Sequence, residues 1–173
     1  MIRVLQEDII MLRDVEAICV ANNGMGICSK GSSAALNEIL EGVMEVEARK
    51  FCSSQRYRVM EGGCFKTSPG KFDKHGIKAI YHAVTTSYVG GPSSLHSISQ
   101  AFKKVMETAL KDEIKSLAVC GLGTGSAAMD KESVARIMVQ IAENYSHRID
   151  VFICDLDKDF VNEVKKFIKT EQK

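Results

Sequence analysis

A chain of 173 residues, 45% hydrophobic and 26% charged, is long enough to bury a substantial core and has the composition of a globular protein rather than a disordered one. Its formal net charge of +1 provides no bulk attraction to nucleic acid or to an anionic membrane, so neither is indicated as a partner. No apolar stretch is long enough to span a bilayer, and the start MIRVLQEDII lacks the apolar core of a signal peptide.

The chain opens on a β-rich run, Ile2–Gln6, followed by a polar turn that contains Asp8 and Ile9. A second run, Ala17–Ala21 (AICVA), is continuously apolar, as expected of a strand covered on both faces. It leads into a small-residue loop, Asn22-Asn23-Gly24-Met25-Gly26, and then into Ser29-Lys30-Gly31-Ser32-Ser33, which opens a helix rich in small residues. Further strands are predicted at Cys64–Thr67 and Ala79–Val84. Pro92 and Ser93 then suit the start of a long helix, whose apolar track is Leu95, Ile98, Ala101, Phe102, Val105, Met106 and Ala109. After a strand at Ser116–Cys120 come the glycines of GLGTG. Asp130 is placed to cap a helix that begins near Lys131 and buries Val134, Ile137, Met138 and Ile141. A last strand, Asp150–Cys154, precedes a helix with Phe160, Val161, Val164 and Phe167 on one face. The tail KKFIKTEQK reads as a solvated helix end, its lysines matched to the negative dipole pole. With no linker and no repeat, residues 1–173 are expected to form one domain. Strands alternating with helices predict a three-layer α/β/α fold around a mixed, mostly parallel sheet.

Several residue types bear on chemistry. Six cysteines form no C-x-x-C pair, and Cys19, Cys120 and Cys154 sit in apolar runs. They are expected to be buried reduced thiols in a cytoplasmic protein. His75, His96 and His147 have no metal-ligand spacing, and the acids Asp155, Asp157 and Asp159 lack the calcium-loop pattern, so a helix cap is expected there and no metal. His82, inside an apolar strand, reads as a hydrogen-bonded structural residue. No serine lies in a G-x-S-x-G elbow, and no cofactor is implied.

The two small-residue loops are the candidate site. Both follow apolar strands, and in α/β sheets ligands bind outside the carboxyl ends of strands. Gly121, Gly123 and Gly125 can take positive φ, turning successive amides inward as an anion nest, while Thr124 and Ser126 add hydroxyls. Gly31, Ser32 and Ser33 stand at a helix N-terminus, where unpaired amides and the dipole attract anions, with Lys30 adding charge. The glycines fit neither a P-loop nor a dinucleotide fingerprint, and alone they also suit a tight turn without a ligand. Two such loops on one sheet edge suit a diphosphate.

Together these blocks resemble a macro domain, the ADP-ribose-binding module. "EDIIML" followed by "DVEAICVANN" is similar to the family's G-D-I-T-x-L and V-D-A-I-V-N-A-A-N, and "KGSSAAL" to the end of its first glycine loop. "AIYHAVTT" resembles its V-I-H-x-V strand and "CGLGTGSAAMDKESVA" its second loop. The resemblance implies that Asp8 accepts a hydrogen bond from the adenine amino group, with Ile9 beside it, and that Asn23 lies near the distal ribose. It likewise implies that Gly31, Ser32 and Ser33 bind one side of the diphosphate, and Gly123, Thr124, Gly125, Ser126 and Ala127 the other. The departures are Val20 for the family's first asparagine, Asn22 for an alanine, and Ser29 and Lys30 in a loop that is usually glycine. Ser33 stands where several ADP-ribosyl hydrolases carry an acid, and Ala127 and Cys154 replace aromatics. A stacking contact is worth roughly 0.5–1.5 kcal/mol, so two missing ones weaken binding by about tenfold or more.

The resemblance therefore implies binding of ADP-ribose or a derivative, and ADP-ribosylated protein as a partner, with at most weak hydrolysis at the distal ribose because Ser33 is a poor base. The alternative from the same residues is a degenerate macro fold that serves as an interaction or scaffold module without nucleotide.

Overall fold

The structure, a computed structural model, describes residues 1–170, so residues 171–173 of the predicted helical tail lie outside the described residues. Six strands form one sheet: β1 (Ile2–Leu5), β2 (Ala17–Asn23), β3 (Cys64–Thr67), β4 (Ala79–Thr86), β5 (Ser116–Val119) and β6 (Asp150–Cys154). Their order is β1-β6-β5-β2-β4-β3. Every pairing is parallel except β3 with β4, so the sheet is mixed and mostly parallel, as the alternating elements predict.

Among the described residues five α-helices accompany it: α1 (Gly31–Ile39), α2 (Val43–Ser54), α3 (Leu95–Lys111), α4 (Lys131–Tyr145) and α5 (Lys158–Thr170). From β4 through α3 to β5, and on through α4 to β6, the chain moves across the sheet in one direction. From β2 through α1 and α2 it moves in the other. The right-handed crossovers β4-α3-β5 and β5-α4-β6 then put α3 and α4 on the same face of the sheet. Consistently, α3 packs on α4 and α4 on α5, while α1 packs on α2. Ala17, Ile18, Cys19 and Val20 of β2 are fully buried, which requires cover on both faces.

Two details lie beyond the expectation. The Pro92 and Ser93 entry leads into α3, whose N-cap is Ser94, accepting from Ser97 N–H at 3.0 Å in a reciprocal capping box. Asp130 does cap α4, accepting from Ser133 N–H at 2.9 Å. Helix α2 has no counterpart in the sequence reading. It buries only Met44, Ala48 and Cys52, while Val43, Val46 and Phe51 stay exposed, so its apolar stripe is narrow and its periodicity blurred.

Because the strands are parallel, the carboxyl ends of β1, β6, β5, β2 and β4 share one edge. The chain reverses direction between the adjacent strands β2 and β5. That reversal point is where a crevice opens in such sheets.

Candidate functional site

The first loop is shaped by Asn22 and Asn23, both buried at the end of β2. Asn23 Oδ1 accepts from Met25 N–H (3.1 Å) and Ile27 N–H (3.3 Å), and its Nδ2 donates to Ile27 O (2.8 Å), so its amide holds the turn in place. One Nδ2 proton is left over for a ligand. Lys30 occupies the N-cap of α1 without a side-chain capping bond, and Gly31 has φ +63° with open space where a Cβ would be. Neither serine hydroxyl caps the helix: Ser33 Oγ donates to Lys30 O at 3.1 Å, and Ser32 Oγ lies 3.2 Å from Cys120 Sγ. The amides of the first turn, which cannot bond within the helix, therefore remain available. Ser29 and Lys30, which stand where this loop is usually glycine, are exposed and line the cleft beside these amides.

The second loop follows β5. Of its three glycines only Gly123 has positive φ (+77°), which corrects the expectation for Gly121 and Gly125. Gly121 is required by close approach instead. A Cβ there would lie 2.6 Å from Thr124 Oγ1, 2.7 Å from Asp155 Oδ2 and 2.9 Å from Phe160 Cε1. A Cβ on Gly125 would meet nothing within 4 Å. The turn is closed by Ala128 N–H donating to Gly125 O (2.9 Å) and Met129 N–H to Gly123 O (3.0 Å). Thr124 donates its hydroxyl proton to Gly121 O at 3.2 Å, so that side chain stabilises the loop.

The third wall comes from the β1 and β6 ends. Asp8 caps the short 3-10 turn Ile9–Met11, its Oδ1 accepting from Ile10 N–H at 3.1 Å. Ile9 is buried and Leu156 is exposed at the rim. Asp155 accepts from Gly121 N–H (3.0 Å) through one oxygen and from Asp157 N–H (2.9 Å) through the other, tying the second loop to the end of β6. Asp157 pairs with Lys131 Nζ at 2.6 Å, and this ammonium holds its carboxyl below the usual carboxylate range. Burial pushes the Cys154 and Cys120 thiols up, so neither is a ready nucleophile.

The three walls enclose a cleft of about 500 Å³, in the range of small-molecule sites. Asp8, Ile9, Asn23, Gly31, Ser32, Ser33, Gly123, Thr124, Gly125, Ser126 and Ala127 all line it. The sequence reading missed Asp155, taken there as part of a helix cap. It also missed Thr85, Thr86, Val89, Gly90 and Gly91, for which the signal was the Gly-Gly-Pro that follows β4. Among the described residues no cluster of His, Cys, Asp and Glu has metal-holding geometry, and no helix is long and apolar enough to cross a membrane.

Beneath the cleft, His82 is fully buried, with its ring stacked on Phe65 at a centroid distance of 4.5 Å. Asn23 N–H donates to Asn22 Oδ1 (2.8 Å), so the Asn22 amide must present its NH₂ to His82 Nδ1 (3.1 Å). Nδ1 is then bare and Nε2–H donates to Thr67 Oγ1 (2.9 Å). Burial brings the His82 pKa down to about 3.

A ligand cleft at the strand-reversal point of a mostly parallel, helix-covered sheet defines an α/β small-molecule-binding class. Residues 20–138 match the Macro domain family, and the chain belongs to it. An uncharacterized protein of Aquifex aeolicus (strain VF5) is 26% identical over 161 residues, 91% of this chain and 93% of the relative. The macrodomain of Mycobacterium tuberculosis DarG is 25% identical and superposes with a TM-score of 0.78, covering 89% of this chain and 97% of that one. At lower identity the fold is shared with a Trypanosoma brucei macrodomain in complex with ADP-ribose (17%, TM-score 0.80, 96% and 68% covered). It is also shared with an Oceanobacillus iheyensis macrodomain mutant with ADPR (15%, TM-score 0.83, 98% and 91%).

Proposed function

We propose that this chain, as a single macro domain over residues 1–173, binds ADP-ribose or a derivative of it in the cleft. One observation carries the reading: two rows of backbone donors, the uncapped start of α1 and the GLGTG turn, flank a single cleft at the ends of the adjacent strands β2 and β5. A diphosphate requires convergent neutral donors with side chains kept clear, and the open space at Gly31 and Gly125 provides that clearance. Adenine lies against Ile9 with its amino group donating to the Asp8 oxygen that the turn leaves free, and the distal ribose reaches Asn23. Membership of the macro family, and the similarly folded Trypanosoma brucei macrodomain in complex with ADP-ribose, support this ligand.

Binding dominates over catalysis, because Ser33 supplies no base. Hydrolysis at the distal ribose is slow. An ADP-ribosylated protein is the macromolecular form of the ligand, and the six free cysteines suit a reducing compartment, the cytoplasm. Calorimetric titration with ADP-ribose, AMP and inorganic phosphate tests the reading. One-site binding of ADP-ribose, tighter than of either fragment, is expected. Absence of any ADP-ribose binding by the folded protein overturns it in favour of a scaffold role.

A further inference from the structure

Three loops meet at one point beside the cleft, at the β2 and β4 ends and so across the sheet from Asp8. Gly24 donates its N–H to Thr86 O at 2.8 Å and accepts from Val59 N–H at 2.8 Å. A Cβ on Gly24 would fall 1.9 Å from Val59 O and 2.8 Å from Ser87 O. The residue after each of these three contact points is large, apolar and exposed: Met25 by 41%, Met60 by 60% and Tyr88 by 48%. Tyr57, 90% exposed, and Val89 extend the same patch, which thus holds five of the eleven exposed large hydrophobics among the described residues.

The backbone beneath it is strained. Arg56 and Tyr57 have φ of 53° and 86°, consecutive left-handed residues with no glycine to relieve them. Arg56 and Arg58 are exposed on either side of Tyr57, and among the described residues neither forms an ion pair. Glu61 is the only acid near them in sequence.

We propose that this patch docks the polypeptide to which ADP-ribose is attached, an acidic segment with apolar side chains. The inference rests on the cleft reading above, since Thr86 and Val89 line the cleft and bring its distal-ribose end onto the patch. Tyr, Met and Arg are the residues enriched in protein interfaces, and Tyr and Arg supply most anchoring side chains. Methionine adapts to varied partners. Two unpaired guanidiniums match carboxylates, which they hold by paired hydrogen bonds. A net charge of +1 and just two arginines at this patch make a poor footprint for a phosphate backbone, so polypeptide is favoured over nucleic acid.

The test titrates the full chain with free ADP-ribose, with a short acidic peptide carrying serine-linked ADP-ribose, with the unmodified peptide, and with an ADP-ribosylated single-stranded oligonucleotide. The modified peptide is expected to bind about tenfold more tightly than free ADP-ribose. Arg56→Glu combined with Arg58→Glu should remove that gain, to within about twofold, while affinity for free ADP-ribose stays the same. Tyr57→Gly, which relieves the positive φ and so preserves the fold, should also reduce the gain. Equal affinity for peptide and free ADP-ribose overturns the docking surface and leaves the cleft reading standing. A gain seen only with the oligonucleotide, or variants that lose free ADP-ribose in parallel, also overturns it. Failure of every ADP-ribose species to bind overturns the cleft reading, and this one with it.

Discussion

Acidification should loosen this fold in a window set by one residue. His82 is neutral in the folded protein because burial brings its pKa from 6.5 to about 3. As pH falls, the unfolded chain takes up this proton first. The contribution is therefore intact above about pH 6.5 and is lost progressively toward pH 3. For those two values, linkage gives a loss of about 2 kcal/mol between about pH 7.5 and 5.0, steepening toward 1.4 kcal/mol per pH unit. The geometry acts in the same direction, since a proton on Nδ1 would confront the Asn22 NH₂ that now donates to it. The carboxylates held low by partners, Glu16, Asp112 and Asp157, lose their contributions only below their ordinary values near 4, outside this window. Urea unfolding followed by far-UV circular dichroism across this range measures the slope. His82→Gln, whose amide can accept from Asn22 and donate to Thr67 without titrating, should flatten it. A stability that does not change from pH 7.5 to 5.0, or the same slope in wild type and variant, refutes the reasoning.

Three further outcomes concern the cleft. Asp8→Ala should weaken ADP-ribose by roughly 1.5–3 kcal/mol in calorimetry and reduce discrimination against the inosine analogue. Asp8→Asn can keep the cap on Ile10 N–H, so unchanged affinity in both folded variants removes Asp8 from the site. Gly125→Val should leave the thermal midpoint intact, since no atom lies within 4 Å of a Cβ there, yet abolish binding. A crystal that shows ADP-ribose elsewhere, with this loop bare, defeats that prediction. Ser33→Asp should retain binding and raise the slow release of ADP-ribose from modified protein, since a positioned general base contributes about 10²–10⁴-fold. A rapid wild-type rate that is insensitive to Asn23→Ala would show the chemistry to be misplaced.

Strands were legible because those covered on both faces write themselves as unbroken apolar runs, and the β6 run Asp150–Cys154 matches its predicted bounds. β2 and β4 run further than their apolar runs, to Asn23 and Thr86, because pairing continues across a register shift after Asn22. Hydrophobicity does not record a ladder that ends in polar residues. Helix α2 escaped for the complementary reason, since three buried positions among exposed valines and a phenylalanine leave no clean moment. The glycines were legible as a loop, but not in their separate duties. Gly123 is there for its backbone angle, Gly121 for lack of room, and Gly125 for the room it leaves. Asp155 could not be found from spacing, because its partner Gly121 lies 34 residues away.

The charges along the cleft orient the proposed ligand. Glu7, Asp8, Asp155 and Asp157 crowd the end formed by β1 and β6, and of these Asp157 is offset by Lys131. An anion at that end would meet carboxylates at low effective dielectric, whereas an amino group would find acceptors. The amide rows lie midway, over β5 and β2, with the exposed cation Lys30 beside them at the start of α1. A molecule with a donor-bearing base at one end and a diphosphate in the middle fits this gradient in one direction only. Its far end must then emerge beside Asn23, Thr86 and Val89. Reversed, the phosphates would still reach the amides, but the base amine would leave the carboxylate acceptors of the β1 and β6 end behind. The same gradient explains how Ser29 and Lys30 are tolerated where the family usually has glycine. Both are exposed and line the cleft beside the start of α1, where the Lys30 ammonium assists an anion.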